Sequence, residues 1–336
     1  MYQRRAGEQP QPLVQFPPFC LSNVVLPLPV SLTGCGSPKA IAFDTTRCLG
    51  YTALVIQTIQ TRDYLTELLT AYWFAPPVAL WRAVELRVVA EERYERPLLD
   101  LGCGDGLIGR VLFGAGEYVD VGFDPWLEQL RQAARSGVYR HLDLANGHRL
   151  PYADDTFVTV FSNSVLEHIS DVEPVVREVG RVLLPGGRFI FTVPSDSFRV
   201  LLDGYARRME SGDAQGAEGY ASSVDGWLEH HHYHTPAEWQ CLLGAAGMTL
   251  IKARYYIPGQ VERLWDLLNM RYGVNRTRSA WGILVSPRLR PLGYQALLRR
   301  MVVQSLSRRW RPYYEMDVPL GEKGGGLLVV AHKNGG

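Results

Sequence analysis

The run Leu98-Leu99-Asp100-Leu101-Gly102-Cys103-Gly104-Asp105-Gly106-Leu107-Ile108-Gly109 reads as an apolar strand, a glycine turn and the opening of a helix. Glycines without Cβ atoms let a ligand lie directly against the backbone. The helix start beyond them offers free N–H groups and the positive end of the helix dipole. A nucleotide-like ligand is therefore expected at this turn.

Strand and helix patterns alternate outward from it. Strands are expected at 97–101, 118–123 (ending at Asp124), 138–142 (ending at Asp143), 157–161, 188–193, 248–257 and 326–332. Helices are expected at 107–114, at 125–135 with Pro125 in the first turn, and at 172–184, stopped by Pro185-Gly186-Gly187. Thr235-Pro236-Ala237-Glu238 is a capping box that opens a helix to about Ala246. This alternation predicts an α/β, Rossmann-like, doubly wound sheet of seven mostly parallel strands with helices on both faces.

The 336 residues divide into five expected regions. Residues 1–60 are proline-rich, weakly periodic and expected to be poorly ordered or loosely packed. Residues 61–96 hold two helices, the first ended by Pro76-Pro77, that cover the site. Residues 97–257 form the core. Residues 258–325 form a basic helical insertion, and 326–336 supply the last strand and a tail.

A hydrophobic content of 46% supports a sizeable core, and 21% charged residues is ordinary for a soluble protein. Cys20, Cys35, Cys48, Cys103 and Cys241 show no CxxC spacing, so neither a disulfide framework nor a zinc site is expected, and a reducing cytoplasm is the default. The apolar stretch 13–32 is broken by Pro17, Pro18, Pro27 and Pro29 and does not read as a secretory leader. The net charge of +1 conceals thirteen Lys or Arg between Lys252 and Arg311 against Glu262 and Asp266, which leaves +11 there and −10 elsewhere. Such an excess bears on partners rather than on fold.

Two registers compete in the glycine turn. Gly104-x-Gly106-x-x-Gly109 fits a dinucleotide fingerprint, hence an NAD(P) oxidoreductase. Gly102-x-Gly104-x-Gly106, with Asp100 two residues ahead, resembles motif I of class I S-adenosylmethionine (SAM) methyltransferases. An acid at the strand tip suits a cationic ligand and repels a pyrophosphate.

Further segments extend that resemblance. They are Gly-Phe-Asp-Pro (122–125), Leu-Pro-Tyr-Ala-Asp-Asp-Thr-Phe (150–157), Ser-Asn-Ser-Val-Leu-Glu-His-Ile (162–169), Leu-Leu-Pro-Gly-Gly-Arg (183–188) and His-Thr-Pro-Ala-Glu-Trp (234–239). Together with 99–106 they resemble the type 11 methyltransferase domain family, which includes ubiquinone- and menaquinone-biosynthesis-like enzymes. One position departs: the family usually has an aspartate where Val158 stands.

The resemblance implies SAM as cofactor and methyl transfer to a small-molecule or lipid-linked acceptor. Gly102, Cys103 and Gly104 would lie along its methionine part, and Asp100 would balance its amino group through water. Asp124, followed by Pro125, would accept the ribose hydroxyls. Asp143 would accept the adenine amino group with Leu144 on the ring, and Asn163 would stand beside the cleft. A SAM-binding protein without turnover stays open, because alignment with an activated methyl supplies much of the rate.

A base matters when the acceptor is a hydroxyl. His168, His232 and His234 are the candidates. In an extended segment His230, His232 and His234 would share one face, but no acid or cysteine completes a metal set and no metal ion is expected.

From Tyr294 onward, Leu297, Leu298, Met301, Val302 and Leu306 recur at helical spacing opposite Arg300, Gln304, Arg308 and Arg311. This basic amphipathic helix is either a lid packed on the domain or a peripheral contact with anionic membrane. Nucleic acid is not expected, since the strand end reads Ser-Asn-Ser-Val rather than a Pro-Pro-aromatic motif.

Overall fold

The computed structural model describes residues 55–56, 62–114, 117–273 and 279–335. Of the extension expected at 1–60, all but the two residues of β1 (Val55–Ile56) lies outside the described residues. β1 pairs antiparallel with β2 (Tyr94–Glu95). Between them lie α1 (Tyr64–Ala71), capped by the Asp63 side chain, and α2 (Pro76–Val89).

The core follows as β3 (Leu98–Leu101), α3 (Leu107–Phe113), β4 (Val119–Asp124), α4 (Leu127–Ser136), β5 (Tyr139–Leu144), β6 (Phe157–Asn163), α5 (Glu173–Val182) and β7 (Leu183–Pro194). Next come α6 (Phe198–Leu201), α7 (Asp203–Glu210), α8 (Ala214–Leu228), α9 (Pro236–Ala245) and β8 (Met248–Tyr255). The insertion holds α10 (Gly259–Tyr272), α11 (Ala280–Leu284), α12 (Gln295–Arg309) and α13 (Arg311–Tyr314), and β9 (Gly326–Lys333) closes the sheet.

The strands lie in the order β5-β4-β3-β6-β7-β9-β8. All neighbours are parallel except β9, which runs antiparallel to β7 and β8. The expected seven-stranded doubly wound sheet is therefore present. Alternate strand residues feed two apolar layers. Leu98, Phe161, Ile190 and Leu328 pack under α1, α2 and α3, whereas Leu99, Val160, Phe191 and Val329 pack under α5 and α9. The order reverses between β3 and β6, and a crevice opens outside the C-terminal ends of such strands.

Several boundaries differ from expectation. Pro76-Pro77 does not end a helix but opens α2, because the first turn needs no N–H from those positions. Pro125 lies outside α4, whose N-cap is Trp126. α5 stops at Val182, and Pro185-Gly186-Gly187 falls within β7.

On α12, Leu298, Val302, Val303 and Leu306 are half-buried, while Leu297 and Met301 are exposed. The helix contacts α1, with Val303 and Leu306 packed on the apolar layer beneath it. Arg311 is not on a solvent face either. It pairs with Asp63 at 2.6 Å and ties the insertion to the start of α1.

Candidate active site

Gly102, Gly104 and Gly106 have φ of +75°, +54° and +76°. Side chains rarely tolerate that region, which explains the three glycines. The N–H groups of Gly102 and Cys103 donate to the Phe123 carbonyl at 3.0 and 2.9 Å and fasten the turn to β4. Asp124, buried at the tip of β4, accepts from Gly104 N at 3.1 Å and from Trp126 N at 2.9 Å. The side of Gly104 where a Cβ would project has no atom within 4 Å, so the turn presents open backbone there.

Gly109 has a different purpose. A Cβ on it would lie 2.5 Å from the Tyr139 hydroxyl, and one on Gly122 would lie 2.7 Å from the same ring. Tyr139 is thus wedged between these glycines and donates from its hydroxyl to Asp100 Oδ2 at 2.6 Å. Gly109 serves packing, and the Gly104-x-Gly106-x-x-Gly109 match does not make it a ligand contact.

Burial pushes Asp100 up to about 7, opposed by the Tyr139 hydrogen bond and aided by the charge of Asp124. Gly109→Ala is expected to lower stability by about 1–3 kcal/mol through overpacking. The loss should be smaller in a Tyr139→Phe background. Denaturant midpoints of the four proteins in that cycle measure the difference.

The other expected ligand contacts are placed as follows. Cys103 is buried, and burial raises its thiol far above the ordinary range. Asp143 accepts from the Tyr152 hydroxyl at 3.0 Å, and Leu144 beside it is 59% exposed. Asn163 turns toward α2, where its amide donates to Glu85 Oε2 at 3.0 Å.

Glu85 organises a buried network that the sequence did not disclose. It is fully buried and accepts from Arg82 at 2.6 Å, Tyr256 at 2.8 Å and Ser164 at 2.9 Å as well as from Asn163. Burial raises its carboxyl, but Arg82 and these hydrogen bonds outweigh burial and hold it below the usual value. α2 is thereby pinned to the end of β6.

A cavity adjoins this network. Val78, Trp81, Phe198, Leu228 and Trp265 form apolar walls. Arg82, Ser164, Glu167, His168 and His230 present polar atoms. Trp81 and Trp265 have ring centroids 5.2 Å apart, and Phe198 stands 5.8 Å from Trp81. The cavity and the glycine turn share one loop: Val165 packs on Gly102, while Ser164 and Glu167 beside it line the cavity.

His168 lines the cavity, and burial lowers it to about 4. His232 and His234 are not brought to the cavity. Their rings stack at 4.3 Å, next to Trp239, and His232 Nε2 bonds the Leu166 carbonyl at 3.0 Å. The segment is not a regular extended strand, so the three alternate histidines separate: Glu229 adopts φ +59° and His231 N bonds Glu167 O. His230 instead joins His168, with centroids 5.2 Å apart, and burial lowers it to about 2. Glu167, raised to about 8 by burial, is the acid that the histidine run alone lacked.

Residues 99–191 match the family model described as a methyltransferase domain. A demethylmenaquinone methyltransferase of Streptomyces griseus is 33% identical over 133 residues, covering 38% of this chain and 57% of that protein. A malonyl-[acyl-carrier protein] O-methyltransferase of Pseudescherichia vulneris is 35% identical over 101 residues, covering 30% and 40%. Another of that name from Legionella pneumophila is 28% identical over 204 residues, covering 54% and 70%. The chain spans about half the length of the first two relatives.

Proposed function

We propose that the methyltransferase domain carried by residues 99–191 binds SAM along the Gly102–Gly106 turn and passes its methyl group to an acceptor in the adjoining cavity. The observation that carries this reading is the shared loop, which sets the cavity against the turn. Asp100, Asp105 and Asp124 surround the turn, which favours a sulfonium and an ammonium over the pyrophosphate of a dinucleotide. The methyl leaves sulfur with its bonding pair left behind, giving S-adenosylhomocysteine, and a hydroxyl acceptor passes its proton to His168 or to water.

The aromatic walls suit a small-molecule or lipid-linked acceptor with a flat or apolar body. Relatives named for a menaquinone precursor and for malonyl-[acyl-carrier protein] fit an acceptor of that general class. A screen of such acceptors with methyl-labelled SAM tests the reading. His168→Ala is expected to lower turnover by about 10²–10⁴-fold with SAM affinity unchanged. A folded variant with full turnover would remove His168 from the acceptor chemistry.

Asp100 makes the donor side pH-dependent. Burial raises it to about 7, well above its ordinary carboxylate value, so the folded chain holds a proton that the unfolded chain releases. Its stabilising contribution to the unliganded protein is present at acid pH and is lost as pH rises through about 7. A cationic ligand favours the ionised form. SAM affinity should therefore rise between about pH 6 and 7.5, and Asp100→Asn should flatten the calorimetric profile.

The insertion supports a second reading, peripheral docking on an anionic bilayer. Among the described residues, Arg271, Arg288, Arg290, Arg299, Arg300, Arg308 and Arg309 are exposed with no ion pair. Ile283, Leu292, Leu297 and Met301 of the same insertion are also exposed. Each basic residue at such a surface contributes about 1 kcal/mol. No helix among the described residues is long and apolar enough to cross a membrane. Co-sedimentation with phosphatidylserine vesicles at low salt should be lost in Arg299→Glu/Arg300→Glu, and absence of binding by the unaltered protein would defeat the reading.

A further inference from the structure

Glu167, His168 and His230 come from two separate segments, the turn after β6 and the turn after α8. One potential ligand atom from each lies within 4.8 Å of the other two. His168 Nε2 is 3.9 Å from Glu167 Oε1, and Glu167 Oε2 is buried without a hydrogen-bond partner. An unsatisfied buried carboxylate oxygen is costly unless something charged or protic meets it.

The far side of each imidazole fixes which nitrogen is bare. His168 Nδ1 lies 3.2 Å from the Glu229 carbonyl, which can only accept, so Nδ1 carries the proton. His230 Nδ1 lies 3.0 Å from the Tyr233 hydroxyl, whose own proton goes to Asp225 at 2.6 Å. That leaves the Tyr233 oxygen to accept from His230 Nδ1. Both Nε2 atoms are therefore lone pairs, each backed by an oxygen on the opposite nitrogen. Metal-ligating histidines are oriented by this kind of outer hydrogen bond.

We propose that Glu167, His168 and His230 form a binding site for one divalent transition-metal ion of the zinc class. Two imidazoles and one carboxylate suit such an ion, with ligand bonds of about 2.0–2.2 Å, so the three groups would have to close in from their present separations. The neighbouring guanidinium of Arg82 does not oppose the ion as a free charge, because Glu85 pairs it at 2.6 Å. All three ligands line the cavity, so the remaining coordination positions face it. An oxygen of water or of a bound acceptor would fill them. That last step rests on the acceptor reading of the cavity, whereas metal binding itself does not; with the ion bound, His168 would act on the acceptor through the metal instead of as a free base.

The test is titration of chelator-stripped full-length protein with Zn²⁺ by calorimetry and with Co²⁺ by visible absorption, without SAM or acceptor. One ion per chain is expected, with ligand-field bands for Co²⁺. Glu167→Gln, close in shape to the native side chain, and His230→Ala should each weaken binding by about 10–100-fold, with circular dichroism confirming the fold. His232→Ala/His234→Ala, which alters the stacked pair beside Trp239, should leave it unchanged. No saturable binding, or binding lost only in the His232/His234 variant, would overturn the site. SAM titration of the same stripped protein reports on the donor reading separately.

Discussion

Asp124→Ala is expected to weaken SAM binding by two orders of magnitude or more. The Asp124 carboxylate already accepts from Gly104 N and Trp126 N, which holds the turn against β4. Its remaining lone pairs are those assigned to the ribose hydroxyls. A hydrogen bond to a charged group contributes about 1.5–3 kcal/mol, so two of them correspond to about 10²–10⁴ in affinity. Asp124→Asn keeps an acceptor oxygen and should fall between the native protein and the alanine variant. Calorimetry of the three proteins, with thermal midpoints to confirm folding, measures the series. A change of less than about threefold in the alanine variant would detach Asp124 from the ribose.

The second large effect is on stability. Glu85→Ala would leave Arg82 as an uncompensated buried charge and deprive Tyr256, Ser164 and Asn163 of a common acceptor. Removing one partner of a buried ion pair costs about 3–5 kcal/mol. The thermal midpoint should drop by roughly 5–10 °C. Ser164 and Glu167 share the loop that meets Gly102, so acceptor-side function should suffer with stability. A loss under about 1 kcal/mol in denaturant unfolding would mean that α2 is held to β6 by apolar packing instead.

The glycine turn was legible in the sequence because it is local. The glycine spacing, Asp124 at a strand tip and the Thr235 capping box each lie within one turn or one strand–loop unit, and the capping box forms as read. The sheet was legible for the same reason, since buried parallel strands appear as short apolar runs. What the sequence hid depends on tertiary register. Tyr139 meets Asp100 only because Gly109 and Gly122 leave room for its ring. Glu85 reads as one polar residue in an apolar helix until the end of β6 is placed against it.

The histidine run shows the limit most clearly. Period-two alternation grouped His230 with His232 and His234. Once Glu229 takes a left-handed conformation, the run no longer follows that period, and His230 pairs with Glu167 and His168 instead. In α12 the apolar spacing was real, but Leu297 and Met301 stay outside the packed face.

Whether the Gly102–Gly106 turn holds SAM is decided by calorimetric titration with S-adenosylhomocysteine and with NAD(H). Saturable one-to-one binding of S-adenosylhomocysteine is expected, reduced about 5–150-fold in Gly104→Ala, whose added Cβ enters the open side of the turn at a cost of about 1–3 kcal/mol, with no competition from NAD(H). Failure of S-adenosylhomocysteine to bind at millimolar concentration, or its displacement by NAD(H), would contradict it.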